Sequence, residues 1–329
     1  MKVLFIGGTG NISTSVSLQA VARGMDLYLL NRGKQQVTIP GARQLTCDIN
    51  RNREVAALLD EYKFDVVVNW IAYKPGEVER DFRLFKGRTG QYIFISSASV
   101  YQKPPLYPVI TESTPLYNPY WEYSRDKIRC EELLNEYYQE EDFPITIVRP
   151  SLTYDTVFPI AVGGWKCYTL ADRMLNGRKI IVHGDGTSLW TVTHAEDFAR
   201  GFIGLIGHQQ AVGHSFHITS DEILTWNQIY RTIAAALGVE AQIVHIPSDF
   251  ITRISPELEG GLLGDKAYSV IFDNSKIKSF VPGFKAVIPF TEGIRRTVAW
   301  FQADPARMTV NEEVNVMMDK ILAVYGKVF

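Results

Sequence analysis

Two rhythms of apolar and polar positions run through the first half of the chain. Short, nearly continuous apolar runs, Val3-Leu4-Phe5-Ile6, Val66-Val67-Val68 and Tyr92-Ile93-Phe94-Ile95, have the length and β-branched or aromatic content of strands covered on both faces. With their flanks they predict strands over residues 2–6, 26–30, 44–47, 65–70, 91–96 and 145–148. Between them, positions 13–23, 52–62 and 123–138 carry helical patterning. Strands alternating with helices predict an α/β fold. Right-handed crossovers make it a Rossmann-type, doubly wound parallel sheet.

After Arg149-Pro150 the alternation fades, and Pro, Gly and aromatic residues punctuate shorter elements. The reading is a first domain over residues 1–155 and a smaller, mixed α/β C-terminal lobe over 156–329, with segments near 190–220 returning to the sheet. Helices are expected at 225–237, opened by Thr225 and closed by Gly238, and at 289–301. Thr309-Val310-Asn311-Glu312 reads as a capping box. It is followed by Val314, Met317 and Ile321 at helical spacing, which predicts an amphipathic helix docked on the body or on a second subunit.

Composition narrows the class. At 329 residues the chain exceeds what one hydrophobic core usually supports. With 46% hydrophobic and 21% charged residues it reads as an ordinary globular protein rather than a disordered or coiled one. Lys plus Arg (34) balances Asp plus Glu (36), so no whole-surface field favours nucleic acid or an anionic membrane. Cys47, Cys130 and Cys167 are too few and scattered for a disulfide framework or a zinc site and are expected as reduced, buried thiols. His183, His208, His214, His217 and His245 show no metal-ligand spacing, so no metal is expected. The apolar start is too short for a signal sequence, and no run approaches the ~18 apolar residues of a membrane helix, so the cytoplasm is the default location.

Gly7-Gly8-Thr9-Gly10-Asn11-Ile12-Ser13 follows the first strand and opens the first helix. Backbone amides at a helix N-terminus, approached closely through glycines, suit a pyrophosphate, which makes Gly7, Thr9, Gly10, Asn11 and Ile12 candidate cofactor contacts. Ser13 stands where a third glycine is usual. The second strand ends at Asn31-Arg32-Gly33-Lys34, without the carboxylate that would bond a free ribose 2'-hydroxyl. Arg32 and Lys34 instead match a 2'-phosphate, which favours NADP over NAD within a general NAD(P) requirement. Asp48-Ile49 ends the third strand, where an acid either bonds the adenine amino group or caps a helix.

These residues, with Tyr123-Ser124-Arg125-Asp126-Lys127, resemble the extended short-chain dehydrogenase/reductase superfamily, its NAD-dependent epimerase/dehydratase group. The resemblance spans nearly the whole chain. It takes in residues 94–101 (Phe-Ile-Ser-Ser-Ala-Ser-Val-Tyr), Glu112, Pro115, Pro119, Glu131, Arg149-Pro150-Ser151, Gly184-Asp185-Gly186, His194-Ala195-Glu196-Asp197 and Asp273-Asn274-Ser275-Lys276. It implies catalysis by Ser97, Tyr123 and Lys127, and cofactor contacts from Ala72, Lys74 and Pro150 as well as from Tyr123 and Lys127. The residue types make chemical sense by themselves. Tyr123 and Lys127 are four apart on one helix face. Lowering a phenol by about three pKa units takes roughly 4 kcal/mol, which an adjacent ammonium and an oxidised nicotinamide supply. Tyr123 is then the acid/base, Lys127 its perturber and a ribose contact, and Ser97 a donor to the reacting oxygen.

Departures narrow the reaction. Sugar-nucleotide 4,6-dehydratases carry an Asp-Glu pair after the serine or threonine, whereas this chain has Ala98-Ser99, which argues against elimination. Ser97-Ala98-Ser99-Val100-Tyr101 and Ala72-Tyr73-Lys74 look more like UDP-galactose 4-epimerases. The segment Ser188-Leu189-Trp190-Thr191 lacks the arginine that often grips the nucleotide diphosphate. The reading is an NAD(P)-dependent oxidoreductase or epimerase at a carbinol carbon of a sugar or sugar-nucleotide-like substrate. Its alternatives are an NADPH-dependent carbonyl reductase and an RNA-binding protein on the same scaffold, since Asn31-Arg32-Gly33 also resembles the branch containing chloroplast stem-loop RNA-binding proteins. A third class is a dinucleotide sensor. Ser99, Trp121, Tyr154, Trp165 and Trp190 fall in segments expected at the cleft as substrate contacts. His194 is expected to tie the lobes together through hydrogen bonds. The resemblance further implies a homodimer built on the Tyr123-bearing helix and its neighbour.

Overall fold

The computed structural model describes residues 1–33 and 37–328. In chain order the elements of the first half are β1 (Lys2–Ile6), α1 (Ser13–Ala22), β2 (Asp26–Asn31), β3 (Arg43–Thr46), α2 (Asn52–Leu59), β4 (Phe64–Asn69), α3 (Pro75–Phe85), β5 (Thr89–Ile95), β6 (Val109–Ile110), α4 (Glu122–Glu141) and β7 (Ile145–Pro150). The second half adds β8 (Leu152–Tyr154), α5 (Thr169–Leu175), β9 (Ile180–His183), β10 (Leu189–Trp190), β11 (Val192–His194), α6 (Ala195–Leu205), β12 (Ser215–Ile218), β13 (Leu224–Thr225), α7 (Trp226–Ala236), β14 (Ile243–Ile246), α8 (Ser248–Ile254), α9 (Glu259–Gly261), β15 (Ile271–Phe272), α10 (Ser275–Phe280), α11 (Phe290–Gln302) and α12 (Glu312–Val328).

The main sheet has seven parallel strands in the order β12-β7-β5-β4-β1-β2-β3. The period of two in β1 sends Val3 and Phe5 into a core with α1, α6 and α10, and Leu4 and Ile6 into a core with α2, α3 and α4. A doubly covered strand must be apolar on both faces, which is why this half of the chain reads as continuous apolar runs. The strand order reverses between β1 and β4, and the crevice beyond their carboxyl ends is where ligands of such sheets bind. A second core gathers α5, β9, α7, β14, α11 and α12 around Trp190 and Trp226. The last strand of the main sheet, β12, comes from the chain beyond this lobe's first elements.

The expected strands appear with shifts of one or two residues, but α3 was not anticipated. Pro75 and Gly76 in its first turn mask the helical pattern. There Glu77 accepts hydrogen bonds from the amides of Tyr73 (2.6 Å) and Lys74 (2.9 Å), which fixes the start of the helix. A second correction concerns α12. Its cap is Asn311, whose Oδ1 accepts from the amides of Glu313 (2.9 Å) and Val314 (3.3 Å), while Thr309 bonds back to Ala306. The helix docks on its own lobe through buried Met318 and Ile321, and Arg173 reaches Asn315 (3.1 Å) and Asp319 (2.7 Å).

Candidate active site

The crevice is lined first by the glycine loop. Gly7 has φ +85°, and a Cβ there would come within 2.6 Å of Ile71, so a side chain is excluded twice over. Ser13 takes the third glycine position and closes the loop on itself. Its hydroxyl donates to the Gly7 carbonyl (3.1 Å) and accepts from the Gly10 amide (2.7 Å). Helix α1 has neither a side-chain cap nor an acid in its first turn, so its positive end meets the crevice uncompensated. An uncapped helix N-terminus behind a side-chain-free turn fits a pyrophosphate.

The other residues expected around a dinucleotide are placed unevenly. The Asn11 amide is engaged within the protein, donating to the Thr153 carbonyl (2.9 Å) and accepting from the Thr156 amide (3.3 Å). Its side chain ties the loop to β8 and leaves only its backbone for a ligand. Asn31 ends β2 and Arg32 is exposed, whereas Lys34 lies outside the described residues. Asp48 accepts from the Asn50 amide (3.0 Å) in a turn ahead of α2, and Ile49 is core. Ala72 is fully buried and offers its carbonyl, while Lys74 is exposed at the start of α3. Pro150 is buried at the end of β7, in register with Ile218.

At the end of β5, Ser97 caps a short turn over Ala98–Val100, accepting from the Ser99 amide (3.2 Å). The Ser97 and Ser99 hydroxyls are 2.9 Å apart, and Ser124 donates to Ser99 Oγ (2.7 Å). Ser99 accepts from Ser124, either hydroxyl of the Ser97–Ser99 pair can donate to the other, and hydrogen bonding from Ser97 favours the ionised Tyr123 phenol. A chain of hydroxyls therefore runs Ser124, Ser99, Ser97, Tyr123. Asn118 anchors it. Its Nδ2 donates to the Ser99 carbonyl (2.8 Å) and to Gly264 of the second lobe (2.7 Å), and its Oδ1 accepts from the amides of Tyr120 (3.2 Å) and Trp121 (3.1 Å).

Lys127 is 1% exposed, and its ammonium donates to the carbonyls of Ala72 (2.6 Å) and Ile95 (2.7 Å). The rings of Phe94 and Tyr73, each 4.7 Å away, enclose it. Burial pulls its pKa down to about 8 against the pull of neighbouring Cys130, Glu131 and Glu77. The Tyr123 phenol, whose lowering is expected from the ammonium and an oxidised nicotinamide together, is raised by the protein's own burial. Burial pushes it up to about 12, and the group that works against this is Ser97, through its hydrogen bond, rather than Lys127. The physical reason is direction. The ammonium is spent on two carbonyls and stands 5.9 Å from the Tyr123 ring.

Two of the five expected substrate contacts are also corrected. Tyr154 and Trp190 are each 1% exposed inside the second core. The Tyr154 hydroxyl packs so closely on Gly293 that a Cβ there would lie 2.1 Å away, leaving neither ring open to a ligand. Ser99 is buried in the hydroxyl chain, Trp165 is exposed on the loop after β8, and half-buried Trp121 packs against Tyr123 (4.9 Å between ring centres). His194 is corrected too. Its ring caps α6 by accepting from the Glu196 amide (3.3 Å), and its other nitrogen makes no hydrogen bond among the described residues. Residues given no role from the sequence are Asn118, Ser124 and Tyr73. Asn118 sits in an Asn-Pro-Tyr run that reads as a plain turn, and Ser124 is hidden beside the more conspicuous tyrosine.

Residues 82–219, which hold this constellation, match the model of the NAD dependent epimerase/dehydratase family. The match covers that segment, less than half of the chain. Among curated relatives it is 28% identical, over 265 residues, to a chloroplast stem-loop binding protein of 41 kDa from Arabidopsis thaliana, covering 76% of this chain and 67% of that one. Among solved structures, an epimerase from Methanothermobacter thermautotrophicus superposes with a TM-score of 0.77 at 16% identity over 93% of this chain and 94% of that one. A UDP-glucose 4-epimerase from Bifidobacterium longum, solved with NAD+ and UDP, gives 0.73 at 17% identity over 94% and 100%. At these identities the structural likeness speaks to the fold alone, a Rossmann-like α/β fold. Among the described residues no helix is long and apolar enough to cross a membrane.

Proposed function

We propose that the protein is an NAD(P)-dependent oxidoreductase or epimerase acting on a carbinol carbon of a sugar-nucleotide-type substrate through Ser97, Tyr123 and Lys127. The observation that carries this reading is the chain of serine hydroxyls ending on Tyr123, set beside the buried Lys127 in a sheet whose first strand runs into a glycine loop and an uncapped helix. A nicotinamide dinucleotide held there supplies the hydride acceptor and donor. Tyr123 takes the substrate hydroxyl proton when the carbinol is oxidised and returns it on reduction. With substrate in place, Ser97 turns its single proton from the phenol to the reacting oxygen and steadies the charge that develops there. Lys127, fixed by two carbonyls, keeps a third N–H for the cofactor ribose, and its charge fixes the local field. Ala98 and Ser99 place no carboxylate behind Ser97, which supports redox at the carbinol without dehydration. Arg32, with no acid at the end of β2, favours NADP. We propose a homodimer through α3 and α4, which pack on one another; a monomeric mass at micromolar concentration contradicts it.

The test is turnover of UDP-glucose and related sugar nucleotides, or NADPH-dependent reduction of carbonyl compounds, by wild type and Tyr123→Phe. Retention of the wild-type rate by the variant overturns the reading. A second reading, RNA binding on the same scaffold, is favoured by the likeness to the stem-loop binding protein. It predicts salt-dependent retention of structured RNA, and failure to bind such RNA at low salt removes it.

A further inference from the structure

Close to this site lies a buried cation that the chemistry above does not use. Lys103 follows the turn after Ser97 and is 1% exposed, yet among the described residues its ammonium donates no hydrogen bond. The nearest carboxylate, Asp265, is 3.9 Å away, beyond hydrogen-bond reach, and the Trp190 ring lies 5.8 Å off. Asp265 is already engaged by Lys266 at 2.9 Å, and these two side chains are only 14% and 13% exposed. Three charges summing to plus one are thus held almost out of water with one direct bond among them. Burial, reinforced by Lys266, lowers the Lys103 pKa against the pull of Asp265. Such an arrangement destabilises a fold unless another partner completes it.

The cluster is fastened to the reacting centre. Gly264, next to Asp265, accepts from the same Asn118 side chain that holds Ser99. The Trp121 indole lies so close to Gly260 that a Cβ there would come within 2.3 Å of it. Asp265 also acts electrostatically on the Tyr123 phenol. An ammonium lacking acceptors, on the second-lobe side of the segment that Asn118 ties to Ser99, is placed to meet whatever part of the substrate extends away from the reacting carbon.

We propose that Lys103 is a specificity-determining residue that binds an anionic group of the substrate. This rests on the reading of Ser97, Tyr123 and Lys127 as the reacting centre. As a compact point charge, lysine takes a phosphate or a carboxylate alike, and the test separates the two. Full-length wild type, Lys103→Met and Lys103→Arg are titrated calorimetrically with UDP-glucose and UDP-glucuronate, and their melting temperatures and dinucleotide affinities are measured alongside. Lys103→Met is expected to weaken sugar-nucleotide binding by at least about tenfold, the scale of a lost charge-assisted contact. It leaves dinucleotide affinity unchanged and melts at or above the wild-type temperature, because an uncompensated buried charge is gone. Lys103→Arg retains part of the binding. Weakening with both probes assigns a phosphate, and weakening with UDP-glucuronate alone assigns a sugar carboxylate. Unchanged affinity for both, a lowered melting temperature with unchanged affinity, or a wild type that binds neither probe overturns the proposal. The redox reading fails separately, through full activity of Tyr123→Phe.

Discussion

Two buried lysines divide the molecule's two lobes by the way their charge is treated. Lys127, on the Rossmann side, is as deeply buried as Lys103, but it is given two carbonyl acceptors and a wall of aromatic rings. Lys103, against the second lobe, is given a carboxylate just out of reach. The first environment holds a charge in one place whatever is bound, while the second leaves a charge to be completed. This division matches what a two-lobe dinucleotide enzyme requires: invariant geometry where hydride and proton move, and an adjustable demand where the substrate is chosen.

The comparison is broken most directly at the fixed end. Tyr123→Phe and Lys127→Met are expected to lower kcat by about a thousandfold, within the range of a lost acid/base group, and steady-state kinetics would expose a smaller role. Lys127 also makes a pH prediction. Its folded pKa of about 8 lies below the ordinary value of 10.5, so the folded state disfavours the charged form. That cost is present in full below about 8 and is relieved as pH rises toward 10.5, where the unfolded chain loses the proton as well. Denaturant titrations should therefore show wild type gaining stability relative to Lys127→Met across this window, and parallel curves would contradict it.

Ser97→Ala is expected to cost about a hundredfold in kcat, the scale of one lost donor to a developing oxyanion. It should also move the pH profile of the oxidative direction upward, because the Ser97 hydrogen bond lowers the Tyr123 phenol. A profile that stays in place would remove Ser97 from the hydroxyl chain. Asn118→Ala, which leaves the Ser99 and Gly264 carbonyls without their donor, should destabilise by about 2 kcal/mol and lower activity about tenfold. Calorimetry and kinetics on one preparation check both. The smallest effect is expected for Arg32→Ala, a shift of about tenfold or less from NADP toward NAD, since its guanidinium is exposed.

The parts of the molecule written in local rules were legible in the sequence. Strands covered on both faces must be apolar throughout, and a helix opening on glycines at its start must follow the first strand, so the sheet and the glycine loop could be located from the residue pattern. Ser97, Tyr123 and Lys127 were named on the resemblance to the extended short-chain dehydrogenase/reductase superfamily, whose ordered motifs they complete. What stayed hidden depends on direction and partnership. Nothing in the spacing of Tyr123 and Lys127 says that the ammonium turns to the carbonyls of Ala72 and Ile95. Aromatic residues in the second lobe gave no sign of whether they faced the cleft or the core, and Tyr154 and Trp190 face the core. The bridging role of Asn118 joins residues as far apart as 99 and 264, a contact that no local pattern encodes.

The central claim is that this crevice holds a nicotinamide dinucleotide beside Tyr123. Denaturing the purified protein and identifying any released dinucleotide by mass spectrometry, followed by titration of the emptied protein with NAD(H) and NADP(H), tests it directly. About one NAD(H) or NADP(H) per chain, either released or bound in titration, is the result this account predicts. A protein that releases none and binds neither in either redox state would contradict it.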